Sequence, residues 1–293
     1  MGDMTKPDIY MPIAHPLYLF SARPVAKKFE ENGHKCCATY DGQPIMIGSD
    51  AGDGSAARFK YNLNHGFGSK NTYWGASCAD REKRAVQLVP SQWYAEQLHK
   101  YGVETIVTGM PRLDEACGLR QSDKHIALYA PTCHVDVTSV RIVQKKIYDI
   151  DGFTPMVRYH PQLQVQVPEV KEWYPDWISD REVGELVAEA SVVICDYATT
   201  ALDAIVLGRP VIVIENPQYR HSCYYSPNNA EIVFSGAFYK ATSWEDVLGH
   251  LWNLRLGHDP LKDGREILAR DICWYRGEAA QRVYDVVMER WHR

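Results

Sequence analysis

The segment Asp196-Tyr197-Ala198-Thr199-Thr200 follows the apolar run Val192-Val193-Ile194-Cys195 and leads into Ala201-Leu202-Asp203-Ala204. A buried strand that opens into a hydroxyl-bearing turn and then a helix places side-chain oxygens beside free backbone N–H groups, an arrangement that binds phosphate. Capping of the helix by Asp196 or Thr199 accounts for one such group and leaves a second hydroxyl for a ligand. Asp203 lies about one helical turn beyond. Its carboxylate suits the two hydroxyls of a ribose, or else simply faces solvent.

Two histidines also follow apolar runs. His65, in Asn64-His65-Gly66-Phe67-Gly68-Ser69-Lys70, sits in a glycine-bordered loop with room for a substrate, and imidazole titrates near neutrality, as a base for a hydroxyl proton must. His160, in Arg158-Tyr159-His160-Pro161, is placed to donate to a phosphate or leaving-group oxygen. Thr132, after Tyr129-Ala130-Pro131, is either a helper from a neighbouring strand end or a turn residue. His134 and Asp136 have metal-ligand spacing but no third partner nearby, so no metal site is expected. Neither a G-x-x-x-x-G-K-[ST] loop nor a G-x-G-x-x-G fingerprint occurs, which argues against P-loop and dehydrogenase chemistry.

The elements that must hold these residues read as two α/β halves. In the first, strands are expected at Cys36–Tyr40, Ile45–Ile47, Arg58–Asn62, Ala85–Val89 and Thr105–Thr108, with a short amphipathic helix carrying Trp93 and Leu98 and a polar loop at Asp50–Ser55. The polar stretch Arg120–Lys124 is the linker. The second half predicts strands at Ile126–Tyr129, Met156–Tyr159, Ser191–Cys195 and Val211–Ile214, with helices at Ser139–Ile150, Glu182–Ala190, Thr199–Leu207 and Trp244–Leu254. Short, wholly apolar strands between amphipathic helices indicate parallel sheets covered on both faces. Val283, Val286, Val287 and Met288 then form an apolar stripe on a terminal helix able to pack back on the first half. The expected domains are 1–120, on the acceptor side, and 121–293, binding the donor.

Across its 293 residues the chain carries a formal charge of −5, without the overall positive excess of tight nucleic-acid or membrane binders. Its apolar runs are too short to span a bilayer, and its opening residues lack a signal-peptide pattern. These features predict a cytoplasmic protein whose membrane contact, if any, is peripheral. The eight cysteines show no CxxC pair or repeated spacing, and Cys36, Cys37 and Cys195 read as structural.

Together, Asn64-His65-Gly66 with Lys70, Tyr129-Ala130-Pro131-Thr132, His160-Pro161 and Asp196-Tyr197-Ala198-Thr199-Thr200 resemble the CDP-glycerol glycerophosphotransferase family of teichoic-acid enzymes, with a GT-B-like fold. Gly277-Glu278-Ala279-Ala280-Gln281-Arg282-Val283 resembles the family's terminal pattern. The chain departs at Ala198, where the family usually has serine, and at Cys133-His134, where it favours Trp-Arg. The resemblance implies two Rossmann-like domains facing a cleft, His65 and His160 as catalytic residues, and Lys70, Thr132, His160, Asp196, Thr199, Thr200 and Asp203 around a nucleotide-activated donor. That donor is CDP-glycerol, or a UDP-sugar in the alternative reading, with no cofactor or metal. The acceptor is a hydroxyl-bearing polymer or glycan, modified DNA included. A noncatalytic nucleotide-ligand-binding protein is the remaining alternative.

Overall fold

The computed structural model describes residues 6–11, 16–39, 41–48, 57–63, 84–160, 162–178, 181–223 and 225–293. They fall into two compact units. Residues 6–63, 84–118 and 271–293 build the first, and 119–270 the second. The division falls beside the expected linker, but the terminal 23 residues, 271–293, assigned from sequence to the second half, fold with the first.

In the first unit, β1 (Ile9–Tyr10), β2 (Cys36–Cys37), β3 (Ile45–Gly48), β4 (Phe59–Leu63), β5 (Val86–Val89) and β6 (Thr105–Val107) make a parallel sheet in the order β2-β1-β3-β4-β5-β6. The strand expected at Cys36–Tyr40 is shorter than its apolar run, while the Asp50–Ser55 loop lies outside the described residues. Ile45 and Ile47 pack with Val25 and Phe29 of the Pro16–Glu31 helix, and with Ala280, Val283 and Val287 of the Ala279–Trp291 helix. Of the stripe read from the terminal sequence, Val283 and Val287 are thus buried in this unit's own core, with Met288 partly buried against it.

The second unit contains β7 (Ile126–Ala130), β8 (Thr154–Val157), β9 (Val192–Cys195), β10 (Val211–Ile214) and β11 (Tyr239–Ala241). They form a parallel sheet in the order β11-β10-β9-β7-β8. Every residue of β7, β9 and β10 is buried, as expected for strands covered on both faces. The helix expected over Ser139–Ile150 is instead one α turn, Val140–Val143, followed by the 3₁₀ segment Gln144–Asp149. Gln144 takes φ +44°, which interrupts α geometry where the apolar spacing alone predicts continuity. The chain order of the strands reverses between β7 and β9, a topological switch point at whose carboxyl ends open α/β sheets bind ligands.

Candidate functional site

Thr132 follows β7, His160 follows β8, and Asp196 begins the turn after β9, so three of the sequence-selected segments share the carboxyl edge of one sheet. Asp196 stitches the switch point together. Its Oδ2 accepts the backbone N–H of Thr132 at 2.8 Å and the hydroxyl of Thr138 at 3.3 Å, and its Oδ1 accepts the N–H of Ser139 at 3.0 Å. The side chain is only 1% exposed. Burial pushes its carboxyl up to about 6, against the opposing pull of its bonds to Ser139, Thr132 and Thr138. Asp196, which the resemblance places around the donor, is engaged by the loop after β7 through both carboxylate oxygens. Both oxygens are turned inward, where they fix the loop after β7.

The helix Thr199–Val206 starts without a side-chain cap, because its N-cap residue is Ala198. Trp244–Arg255 in the same unit contrasts with it: Ser243 accepts from the N–H of Asp246 at 3.1 Å, while Asp246 accepts from the N–H of Ser243 at 3.0 Å. Thr199 and Thr200 lie half-buried in the first turn of the uncapped helix, flanking its positive end. Asp203, also in that helix, is 1% exposed, so it does not simply face solvent. The apolar residues around it, Leu202 and Ala204, are equally buried, so this turn of helix has no exposed face.

His160 is half-buried, and its Nδ1 accepts the backbone N–H of Gln162 at 3.2 Å. The neutral ring consequently carries its proton on Nε2, the form able to donate to an anionic oxygen. Thr132 is 7% exposed and held by its bond to Asp196. His65 and Lys70 lie outside the described residues.

Several groups on this edge were not selected from sequence. The Tyr197 hydroxyl donates to Glu215, which follows β10, and its ring stacks on Tyr219 with centroids 4.8 Å apart. Asn216 donates to the carbonyl of Thr138 at 3.4 Å, tying the end of β10 to the loop that Asp196 holds. The signal was available in Glu215-Asn216, a polar pair directly after a wholly apolar strand.

No family model and no curated protein matches the sequence. Solved structures do. The wall teichoic acid polymerase TagF superposes with a TM-score of 0.73 at 13% identity, covering 97% of this chain and 89% of that one, and TagF soaked with CDPG gives the same score. A UDP-N-acetylglucosamine 2-epimerase from Listeria monocytogenes, itself described as putative, gives 0.63 at 13% identity over 98% of this chain and 97% of its own. The S. aureus MnaA–UDP structure gives 0.61 at 10% identity, covering 98% of this chain and 97% of that one. These likenesses establish the fold: an α/β chain of two Rossmann-like units, GT-B-like in architecture.

Proposed function

We propose that the chain is an enzyme that transfers a group from a nucleotide-activated donor to an acceptor hydroxyl, and that the donor is CDP-glycerol. The observation that carries this reading is the carboxyl edge of the second sheet. There an uncapped helix bearing Thr199 and Thr200 and the Asp196-braced Thr132 flank the topological switch point, with the Nε2–H tautomer of His160 at the end of the neighbouring β8. A diphosphate suits these groups because helix N–H ends, hydroxyls and an imidazole N–H all donate to anionic oxygen. The CDPG soaked into TagF and the UDP bound to MnaA support a pyrimidine nucleotide as the carrier.

In the proposed reaction His65 takes the proton of the acceptor hydroxyl, and the oxygen attacks the glycerol-bearing phosphorus. The bond from that phosphorus to the CMP oxygen breaks, and CMP leaves with His160 donating to its phosphate. UDP-sugar transfer is the second reading, favoured by the fold shared with the UDP-N-acetylglucosamine 2-epimerase and the MnaA–UDP structure.

The test is to incubate the protein with CDP-glycerol or UDP-sugars and a panel of glycerol-phosphate polymers, glycans and hydroxymethylated DNA, with chelator present. Product mass decides. A glycerol-phosphate increment is expected. A hexose increment selects the second reading, and unmodified acceptors throughout refute transfer.

A further inference from the structure

The first unit carries a basic recess at the opposite, amino-terminal edge of its own sheet. Arg58 immediately precedes β4, Arg84 lies two residues before β5, and Glu104 directly precedes β6. Two adjacent cavities, of about 410 and 530 Å³, open there and share Arg58, Phe59, Glu104 and Arg290. Each is the size of a small-ligand site. The terminal helix supplies the far wall: Arg282, Val286, Glu289 and Arg290 recur at helical spacing and line the larger cavity, joined by Arg293 just beyond the helix.

Charge gives the recess its character. Among the described residues that line it are the cations Arg58, Lys60, Arg84, Arg282, Arg290 and Arg293 and the carboxylates Glu104 and Glu289. Those two carboxylates are already engaged, Glu104 by Arg290 at 2.6 Å and Glu289 by Arg293. A chain of net charge −5 thus concentrates positive charge at this one edge, and its guanidinium groups match phosphate geometry. Tyr61, 1% exposed, also lines the smaller cavity, and its hydroxyl has no hydrogen-bond partner among the described residues. Among the described residues, none of the exposed large apolar side chains lines either cavity.

We infer that this recess is a second ligand site, separate from the donor edge, which binds a small molecule carrying two or more adjacent phosphates. The two adjacent cavities have room for more than one phosphate, and a di- or triphosphate offers oxygens to several guanidinium groups at once. The inference is independent of the donor reading, because no residue of the recess belongs to the second unit.

Calorimetric titration with inorganic tripolyphosphate, a nucleoside triphosphate and a single-stranded oligonucleotide tests it. Arg58 and Arg84 are exposed, so the double variant Arg58→Glu/Arg84→Glu is expected to keep the fold, checked by circular dichroism. Saturable tripolyphosphate binding is expected, weakened about tenfold or more in that variant. It should be unchanged in Arg270→Glu, an exposed cation of the second unit, and the loss in the double arginine variant should recur in a Thr199→Ala/Thr200→Ala background, where the donor edge no longer contributes its hydroxyls. Tighter binding of the nucleoside triphosphate that is weakened in the double arginine variant would support the site and make it a nucleotide site. Unchanged affinity in the double arginine variant, loss in the threonine variant alone, saturable binding of the oligonucleotide only, or no saturable binding at all overturns the inference.

Discussion

Asp196 works by holding backbone, and that role sets its response to pH. Its carboxyl has an ordinary value of 3.8 and is raised to about 6 in the folded chain, so between these values the folded state holds a proton that the unfolded state has lost. Its contribution to stability is therefore greatest below pH ~4, falls as pH rises towards ~6, and is level above that. Asp114, also raised to about 6 by burial, acts in the same window. In Asp196→Asn one carboxylate oxygen becomes an NH₂ facing backbone donors, at a cost of roughly 1–3 kcal/mol near neutral pH. Urea midpoints measured from pH 4 to 7 should be lower for the variant at neutral pH and decline less steeply with pH than for the native chain. Parallel curves would contradict the assignment. The sequence locates Asp196 at a strand end because a run of apolar residues stops there. It does not show the carboxylate turning inward, because the partners that turn it, Thr132 and Ser139, lie 64 and 57 residues away.

At the scale of elements, the Ala279–Trp291 helix is capped from outside its own sequence. Its N-cap residue Glu278 makes no side-chain cap, and Asp114 instead accepts the N–H of Ala279 at 3.1 Å and of Ala280 at 2.7 Å. A carboxylate at a helix N-terminus offsets the positive end of the helix and satisfies two otherwise open donors. This contact, with the buried stripe Val283 and Val287, is why the chain's last residues belong to the first unit. Asp114→Ala is expected to lower stability by about 1–2 kcal/mol, and Asp114→Asn by less, in urea denaturation followed by circular dichroism. Equal losses from both would remove the cap as the cause. Gly109 belongs to the same junction. It has φ +83°, and a Cβ there would lie 2.4 Å from the carbonyl oxygen of Trp274. The apolar stripe was legible because its spacing is local. The two-residue β1 has too few positions to show a period, and the cap pairs residues 165 apart, so neither could be read from the sequence.

At the scale of the whole molecule, the proposed reaction divides its labour along the chain. Donor-binding groups come from the second unit, at the ends of β7, β8 and β9, while the proposed base is His65, in the first half of the sequence. Hydrogen exchange separates the two contributions. CDP-glycerol should slow exchange in peptides covering residues 131–139, 160–166 and 196–203, and leave β3 unchanged, since a bound diphosphate shields the loops it touches and not the centre of a different sheet. His65→Ala should keep this protection and the donor affinity, yet lose about 10²–10⁴-fold in single-turnover rate, the usual contribution of a positioned general base. His160→Ala should weaken both protection and turnover, because an Nε2–H that reaches the diphosphate serves binding as well as departure of the leaving group. Single-turnover rates at saturating donor, taken from pH 6 to 8, exclude product release as the cause. A His65 variant of near-native rate across that range would transfer the base to another residue, and unchanged donor affinity in the His160 variant would move the diphosphate away from the end of β8.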